Sequence, residues 1–485
     1  MVKKYWCILF FFFLLTISCS SQIIDTSIFT FQNKIIASTS ADSTTYVVIK
    51  SLKFKGNNKT TIDFISSRIN FKVGDSIKAY SVYETFHLSK QLLYNTNLFS
   101  EIKFEGLLNA NNELSVEVYV KERMYVFVAP EFMLIDRNFN VWWNNFDADL
   151  NRTVYGLDFF HKNLTGNNDN LSVSLTAGYA KKISVNYFTP AFKKNFNHGI
   201  ALGFSYSALK EFNYQTSDSN KQHFYSTKNY EQKNFIFKSS YQIRKGFFRR
   251  HIFSFTLNHL EYPDSIIAIN SLLLNSTSSK INFPEISYAY QYVNVDNVNF
   301  PLKGKKYSIE LNKKGLKWNK EMNAFCLNIS YQKFNALPHQ YFSQIGFFSS
   351  IKLPFEQSFI NQKALGYGNY YLRGLEYYVI DGVVSFLSTF TLEKKLIDFK
   401  IPLPFKIKNE KHIPFAFYGK GFADFGYSYN KKEIPTLLNN KLLYTGGLGI
   451  DLLTLYDIKF SIEYSINQLG EKGVFLHTNN IVQFK

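Results

Sequence analysis

The chain has 485 residues, more than one ordinary soluble domain, so two domains or one large barrel are the natural arrangements. Aromatic residues make up 18% and apolar residues 46%, yet mean hydropathy is slightly negative, which excludes a helical membrane protein and suits strands that alternate between apolar and polar faces. The net charge of +18 raises nucleic-acid binding, but Lys and Arg are scattered with no long basic run, so a basic lumen and anionic lipid headgroups account for it and no nucleic-acid partner is expected.

Residues 1–21 read MVKKYWCILFFFFLLTISCSS. Lys3 and Lys4 precede an apolar core from Ile8 to Leu15, followed by small residues. This is the pattern of a signal peptide, too short for a comfortable membrane span. Two processing sites are open. Thr16-Ile17-Ser18-Cys19 resembles a lipoprotein box and makes Cys19 a candidate lipidation site, with Leu15 one place early; cleavage after Ser21 would leave Gln22 first. Residues 22–44, rich in Ser and Thr, read as a linker. No later run is apolar for long enough to predict a transmembrane helix. Cys7, Cys19 and Cys326 show neither a disulfide framework nor metal-ligand spacing, and Cys326 reads as an apolar side chain in a strand.

Residues 45–123 predict a small α/β domain in the order β-α-α-β-β. Tyr46 to Phe54 is β-branched and apolar and ends at a Gly56-Asn57-Asn58 turn. Thr60 or Thr61 caps a helix with Ile62, Ile65 and Ile69 on one face. Gly74-Asp75 makes a second turn before a longer helix from about Ser81 to Tyr94. Strands follow at Glu101 to Gly106 and at Leu114, Val116, Val118 and Val120, which alternate with Ser115, Glu117, Tyr119 and Lys121. The order, together with Leu93-Tyr94-Asn95-Thr96-Asn97-Leu98-Phe99 and Lys121-Glu122-Arg123, resembles a polypeptide-transport-associated (POTRA) domain.

Residues 124–485 predict an outer-membrane β-barrel. Ile458, Phe460, Ile462 and Tyr464 alternate with Lys459, Ser461, Glu463 and Ser465; Ile286, Tyr288, Tyr290 and Tyr292 and then Ile183, Val185 and Tyr187 repeat the pattern. About sixteen such runs are expected, from 124–134 to 473–484, an even number that returns both ends to one side of the membrane. Long loops are expected near 210–230, 262–282 and 354–381, with shorter turns at the other end.

The longest loop carries Tyr371-Leu372-Arg373-Gly374-Leu375, and a later strand carries Phe422-Ala423-Asp424-Phe425-Gly426. Asp424 shares a face with Phe422 and Gly426. If that face lines the lumen, Asp424 can take the Arg373 guanidinium in a bidentate, charge-assisted pair and hold the loop inside the pore. The last strand, about Gly473 to Phe484, contains His477, Thr478, Asn479 and Asn480, a polar run expected to sit poorly against lipid and to make a labile seam.

These motifs resemble the POTRA-barrel superfamily of outer-membrane assembly and translocation proteins (BamA/TamA type, bacterial surface antigen family). Arg373-Gly374 match its loop motif, and Phe422, Asp424 and Gly426 its partner motif. Asn163-Leu164-Thr165-Gly166, Tyr187-Phe188-Thr189-Pro190 and Asn299-Phe300-Pro301-Leu302-Lys303-Gly304 match further motifs, so the resemblance spans nearly all of residues 46–485. Leu375 departs from the aromatic usual after the Arg-Gly pair, only one POTRA domain fits before the barrel, and Lys485 follows the terminal Phe484.

The resemblance implies a barrel in the bacterial outer membrane with the POTRA domain in the periplasm. It implies partners among unfolded outer-membrane or secreted client proteins, outer-membrane lipid and periplasmic accessory proteins. It also implies insertion or translocation of clients by β-augmentation at the seam and at the POTRA edge. A dedicated secretion pore for one partner, or a passive channel or surface antigen, are the alternatives. No cofactor is expected and no enzyme activity. The His residues are dispersed without His-Glu-x-x-His spacing, and neither a Gly-x-Ser-x-Gly elbow nor a phosphate-binding Gly-Lys loop is present. Asn294, Asp296, Asn297 and Asn299 read as a turn.

Overall fold

The computed structural model describes residues 29–32, 45–134, 147–192, 196–316, 322–407, 410–431 and 436–478. The signal segment, Cys19, most of the linker, and Asn479, Asn480 and Phe484 lie outside the described residues.

The N-terminal unit comprises β1 (Phe29–Gln32), β2 (Tyr46–Lys55), α1 (Ile62–Ser66), β3 (Ser76–Lys78), α2 (Val82–Tyr94), β4 (Phe99–Leu108) and β5 (Glu113–Glu122). Its sheet runs β1-β4-β5-β2-β3, with β4 and β5 antiparallel and β2 parallel to β5. Two short strands join the expected elements. The Gly74-Asp75 turn leads into β3 on one edge, and β1, from the stretch read as linker, runs parallel along β4 and occupies the edge that a client strand was expected to find free.

Thr61 caps α1 by accepting a hydrogen bond from the Phe64 amide at 3.3 Å. The buried face of α1 differs from the expected one: Phe64 and Ile65 point inward and Ile62 outward, because the helix is a turn and a half long and its cap sets the phase. Phe64, Phe86, Phe99 and Phe104 are fully buried against Leu114, Val116 and Val118. Each of these phenylalanines contributes about 1.5–3 kcal/mol by leaving water.

The remaining strands continue in chain order. They are β6 (Val126–Leu134), β7 (Thr153–Lys162), β8 (Asn170–Gly178), β9 (Ala180–Thr189), β10 (His198–Leu209), β11 (Glu211–Thr216), β12 (Gln222–Ser226), β13 (Gln232–Lys245) and β14 (Arg249–Glu261). After helix α3 (Asp264–Ile269) come β15 (Lys280–Val295), β16 (Gly304–Lys314), β17 (Ala324–Leu337) and β18 (Tyr341–Leu353). Helix α4 (Phe359–Gln362) precedes β19 (Lys363–Leu365), β20 (Ile380–Asp381), β21 (Val384–Ile407), β22 (Glu410–Tyr429), β23 (Leu442–Leu453), β24 (Lys459–Asn467) and β25 (Lys472–Thr478).

Sixteen of these strands form one antiparallel sheet in sequence order from β6 to β25, skipping only the two hairpins β11-β12 and β19-β20. Its two faces differ as the alternation requires. On β24, Phe460, Ile462 and Tyr464 are exposed at 43%, 55% and 45%, whereas Ser461, Glu463 and Ser465 are buried inside. Among the described residues no ladder joins β6 to β25, so the first and last strands are the two edges of the sheet.

The two ends of the barrel are unequal. At the far end, the β11-β12 hairpin, α3 and the 354–383 loop pack into a cap around Phe212, Tyr262, Ile266, Leu273 and Phe359. Within the cap, Asn220 donates to the Val379 carbonyl and to Asn439 Oδ1. At the near end, short turns meet the N-terminal unit.

Candidate functional site

The 354–383 loop leaves β18, crosses the cap and dips into the lumen before β21. On the part that meets β22 lies Arg373. Its Nε and Nη2 donate to Asp424 Oδ2 and Oδ1 at 2.9 and 2.5 Å, and its backbone amide donates to Asp424 Oδ2 at 3.0 Å. Nη1 donates to Thr391 Oγ1 at 3.0 Å and Nη2 also to the Phe390 carbonyl at 3.3 Å. The guanidinium carbon sits 4.0 Å from the centroid of the Phe422 ring, a cation–π contact. Asp424 is fully buried, so an ionised carboxylate there depends on this arginine and these donors.

Alternation on β22 is what brings the pieces together. Phe422, Asp424 and Gly426 all face inward. Gly426 makes room for the loop, since a Cβ there would stand 2.9 Å from Leu372 Cδ1. Gly374 has φ +94°, and a Cβ would lie 2.8 Å from Ser465 Cβ, so only glycine lets the loop turn this close to β24. Leu375, at the position usually aromatic, is buried with Leu365, Leu372, Ile380 and Leu387.

His477 points into the lumen, which corrects the expectation that it burdens a lipid-facing strand. On β25 it is Val474 and Leu476, among others, that face outward, at 63% and 76% exposure. The imidazole Nδ1 lies 3.2 Å from the Tyr371 hydroxyl, and Nε2 lies 3.4 Å from both Glu376 Oε1 and Glu463 Oε2. Phe475 stacks obliquely on Tyr377, with centroids 5.4 Å apart. The loop that carries Arg373 therefore rests on β25 as well as on β22. Next to it, Lys420 donates to Asp451 at 2.5 Å and to Glu463 at 2.6 Å, all three buried. Nothing in the sequence singled out this triad, because its members come from three strands with no common motif.

A second constellation, missed from the sequence, fastens the N-terminal unit to the barrel. Asn95 Nδ2 donates to the Val295 carbonyl at 2.7 Å and its Oδ1 accepts from the Val298 amide; Asn97 and Asn299 exchange side-chain hydrogen bonds. The Thr61 amide donates to the Gly166 carbonyl at 2.9 Å, and Asn163 Nδ2 donates to Thr60 Oγ1. Arg123 pairs with Asp457 at 3.0 Å and stacks between Tyr94 and Tyr456. Burial, and after it the Asp457 carboxylate, push the Tyr94 hydroxyl up to about 12, so it stays protonated and donates to that carboxylate. Asp296 accepts from the amides of Asn297, Leu302 and Lys303, in keeping with a turn. The motifs quoted from both halves of the chain thus meet at one joint.

Between the joint and the Arg373–Asp424 pair, the lumen holds two cavities of about 920 and 940 Å³. The one nearer the joint is lined by Arg68, Lys162, Lys238, Arg244 and Arg250, with Glu310 as its only carboxylate among the described residues.

A sixteen-stranded barrel sheet behind one small α/β unit, with an inward loop gripped by its Arg-Gly pair, has the fold of POTRA-barrel proteins. Many solved structures are similar, two of them as follows. BamA from Haemophilus ducreyi lacking POTRA domains 1–3 is 14% identical with a TM-score of 0.50, over 89% of this chain and 84% of that one. CdiB from Escherichia coli is 11% identical with a TM-score of 0.53, over 89% and 76%. At these identities the likeness is one of fold. No family model and no curated protein matches the chain.

Proposed function

We propose that this chain is an outer-membrane protein that inserts or translocates other proteins, with the N-terminal unit in the periplasm. The observation that carries the reading is that, among the described residues, the end strands β6 and β25 are not laddered to each other in a sheet otherwise paired throughout. An exposed strand edge carries unpaired donors and acceptors and templates the addition of another strand. The outward residues of β23 and β24, such as Leu448, Ile450 and Ile462, supply the apolar band that a bilayer requires. The Arg373–Asp424 pair serves as a latch with no bond-breaking role, holding the loop against β22 and β25. In this reading a client displaces β1 from the β4 edge or adds at the seam, and its own folding drives the process.

The test is depletion of the protein followed by quantitative outer-membrane proteomics. Joint loss of many unrelated barrels, reproduced by Arg373→Ala, supports general insertion. Loss of one secreted or surface protein with the barrels intact assigns a dedicated translocator. An unchanged proteome overturns both readings and leaves a passive channel, measured as solute conductance.

A further inference from the structure

Three side chains from three separate elements converge in the lumen beside the latch: Glu376 from the loop, Glu463 from β24 and His477 from β25. Their facing atoms lie within 4.8 Å of one another. Each side chain already has one polar atom engaged. Glu376 Oε2 accepts from the Gly374 amide at 2.7 Å, Glu463 Oε1 takes Lys420 Nζ at 2.6 Å, and His477 Nδ1 meets the Tyr371 hydroxyl at 3.2 Å. The three remaining atoms, Glu376 Oε1, Glu463 Oε2 and His477 Nε2, are buried without a hydrogen-bond partner and face each other. Glu463 is only 3% exposed.

We propose that Glu376, Glu463 and His477 form a binding site for a divalent transition-metal ion of the zinc type. One imidazole nitrogen and two carboxylate oxygens are the ligand types zinc takes, and three protein ligands leave a fourth position for water. Tetrahedral bonds of about 2.0–2.1 Å place donor atoms about 3.3 Å apart. Nε2 stands 3.4 Å from each carboxylate oxygen, so two of the three spacings match, and the two carboxylate oxygens lie within 4.8 Å of each other. The hydrogen bonds at the outer atoms orient each ligand, as the partners of metal-bound histidines and carboxylates do elsewhere. Glu376 meets no lysine or arginine within ion-pair distance among the described residues, so its charge is available to a cation. A bound ion would tie the loop to both of the last two strands, fixing β25 from inside the barrel. The site is independent of what the protein does to its clients.

The experiment uses the purified full-length chain in detergent micelles, without an oligohistidine tag and stripped with a chelator. Calorimetric titration with Zn²⁺ alone is expected to show one ion per chain. Co²⁺ alone is expected to give the strong visible bands of a four-coordinate site. His477→Gln and, separately, Glu376→Gln should each weaken binding tenfold or more, while His251→Gln, in β14 away from the cluster, should not. Glu376 lies on a loop outside the ladders, so that variant tests the site even if a strand substitution blocks folding. Absence of saturable one-to-one binding overturns the proposal, as does binding that survives both substitutions; the cluster is then an imidazolium held between two carboxylates.

Discussion

Arg373 and Asp424 meet through three hydrogen bonds, two from the guanidinium and one from the backbone amide of the arginine itself. The carboxylate thus fixes the side chain and the loop backbone at once. Arg373→Ala leaves a buried carboxylate without its cation, at a cost of about 3–5 kcal/mol to the docked state of the loop. Arg373→Lys keeps the charge but loses the planar fork and the stacking on Phe422, so it should rescue only in part. Protease cleavage within residues 354–383 is the readout, with wild type slowest, lysine intermediate and alanine fastest. Equal rates for all three would show that the apolar contacts of Leu372 and Leu375 hold the loop without the ion pair.

The joint is expected to depend on Arg123. Its guanidinium is buried against Asp457, Tyr94 and Tyr456, and the Tyr94 hydroxyl donates to the same carboxylate. Arg123→Ala should make proteolysis between the two units tenfold faster or more, since each loss of about 1.4 kcal/mol raises the open population tenfold. A cleavage rate within twofold of wild type would mean that the asparagine contacts suffice.

The seam is open to cysteine cross-linking. Single cysteines placed along 126–134 and 472–478 should cross-link in more than one register if the edges are weakly paired, and a locked seam should abolish client insertion, with reductant restoring it. A single fixed register, or full activity when locked, argues against use of the seam.

The outward face of β24 predicts a sharp asymmetry. Ile462→Arg places a charge in the apolar band and should destabilise the folded barrel by about 2–4 kcal/mol if it lies near the bilayer midplane. Ile462→Val should be nearly neutral. Loss of the heat-resistant, compact form on cold gel electrophoresis reports the difference.

Much of this architecture was legible in the residues. Period-two alternation gives strands close to their observed positions, because one face of each must be apolar and the other polar; the 458–465 run and β24 agree on which side chains face out. The approach of Arg373 to Asp424 followed from alternation on β22 and a loop long enough to reach it. Other features were not readable. Lys420 finds Asp451 and Glu463 through barrel register, which local sequence does not specify. The contact of Asn97 with Asn299 is not visible in the motifs that contain them, since its two halves lie about two hundred positions apart. The direction of His477 was misjudged for a related reason: its partners Tyr371 and Glu376 reach it only because the loop folds inward.

Phe196, from the turn between β9 and β10, is buried in the apolar core of the N-terminal unit and meets Phe64 edge to face at 5.6 Å. The barrel therefore supplies a piece that the preceding unit lacks. Phe196 reaches that core only when β9 and β10, the fourth and fifth barrel strands, are paired and hold their connecting turn in place. Completion of that apolar core is thus coupled to the pairing of two barrel strands, so a substitution at Phe196 should be felt in the N-terminal unit as well as in the barrel.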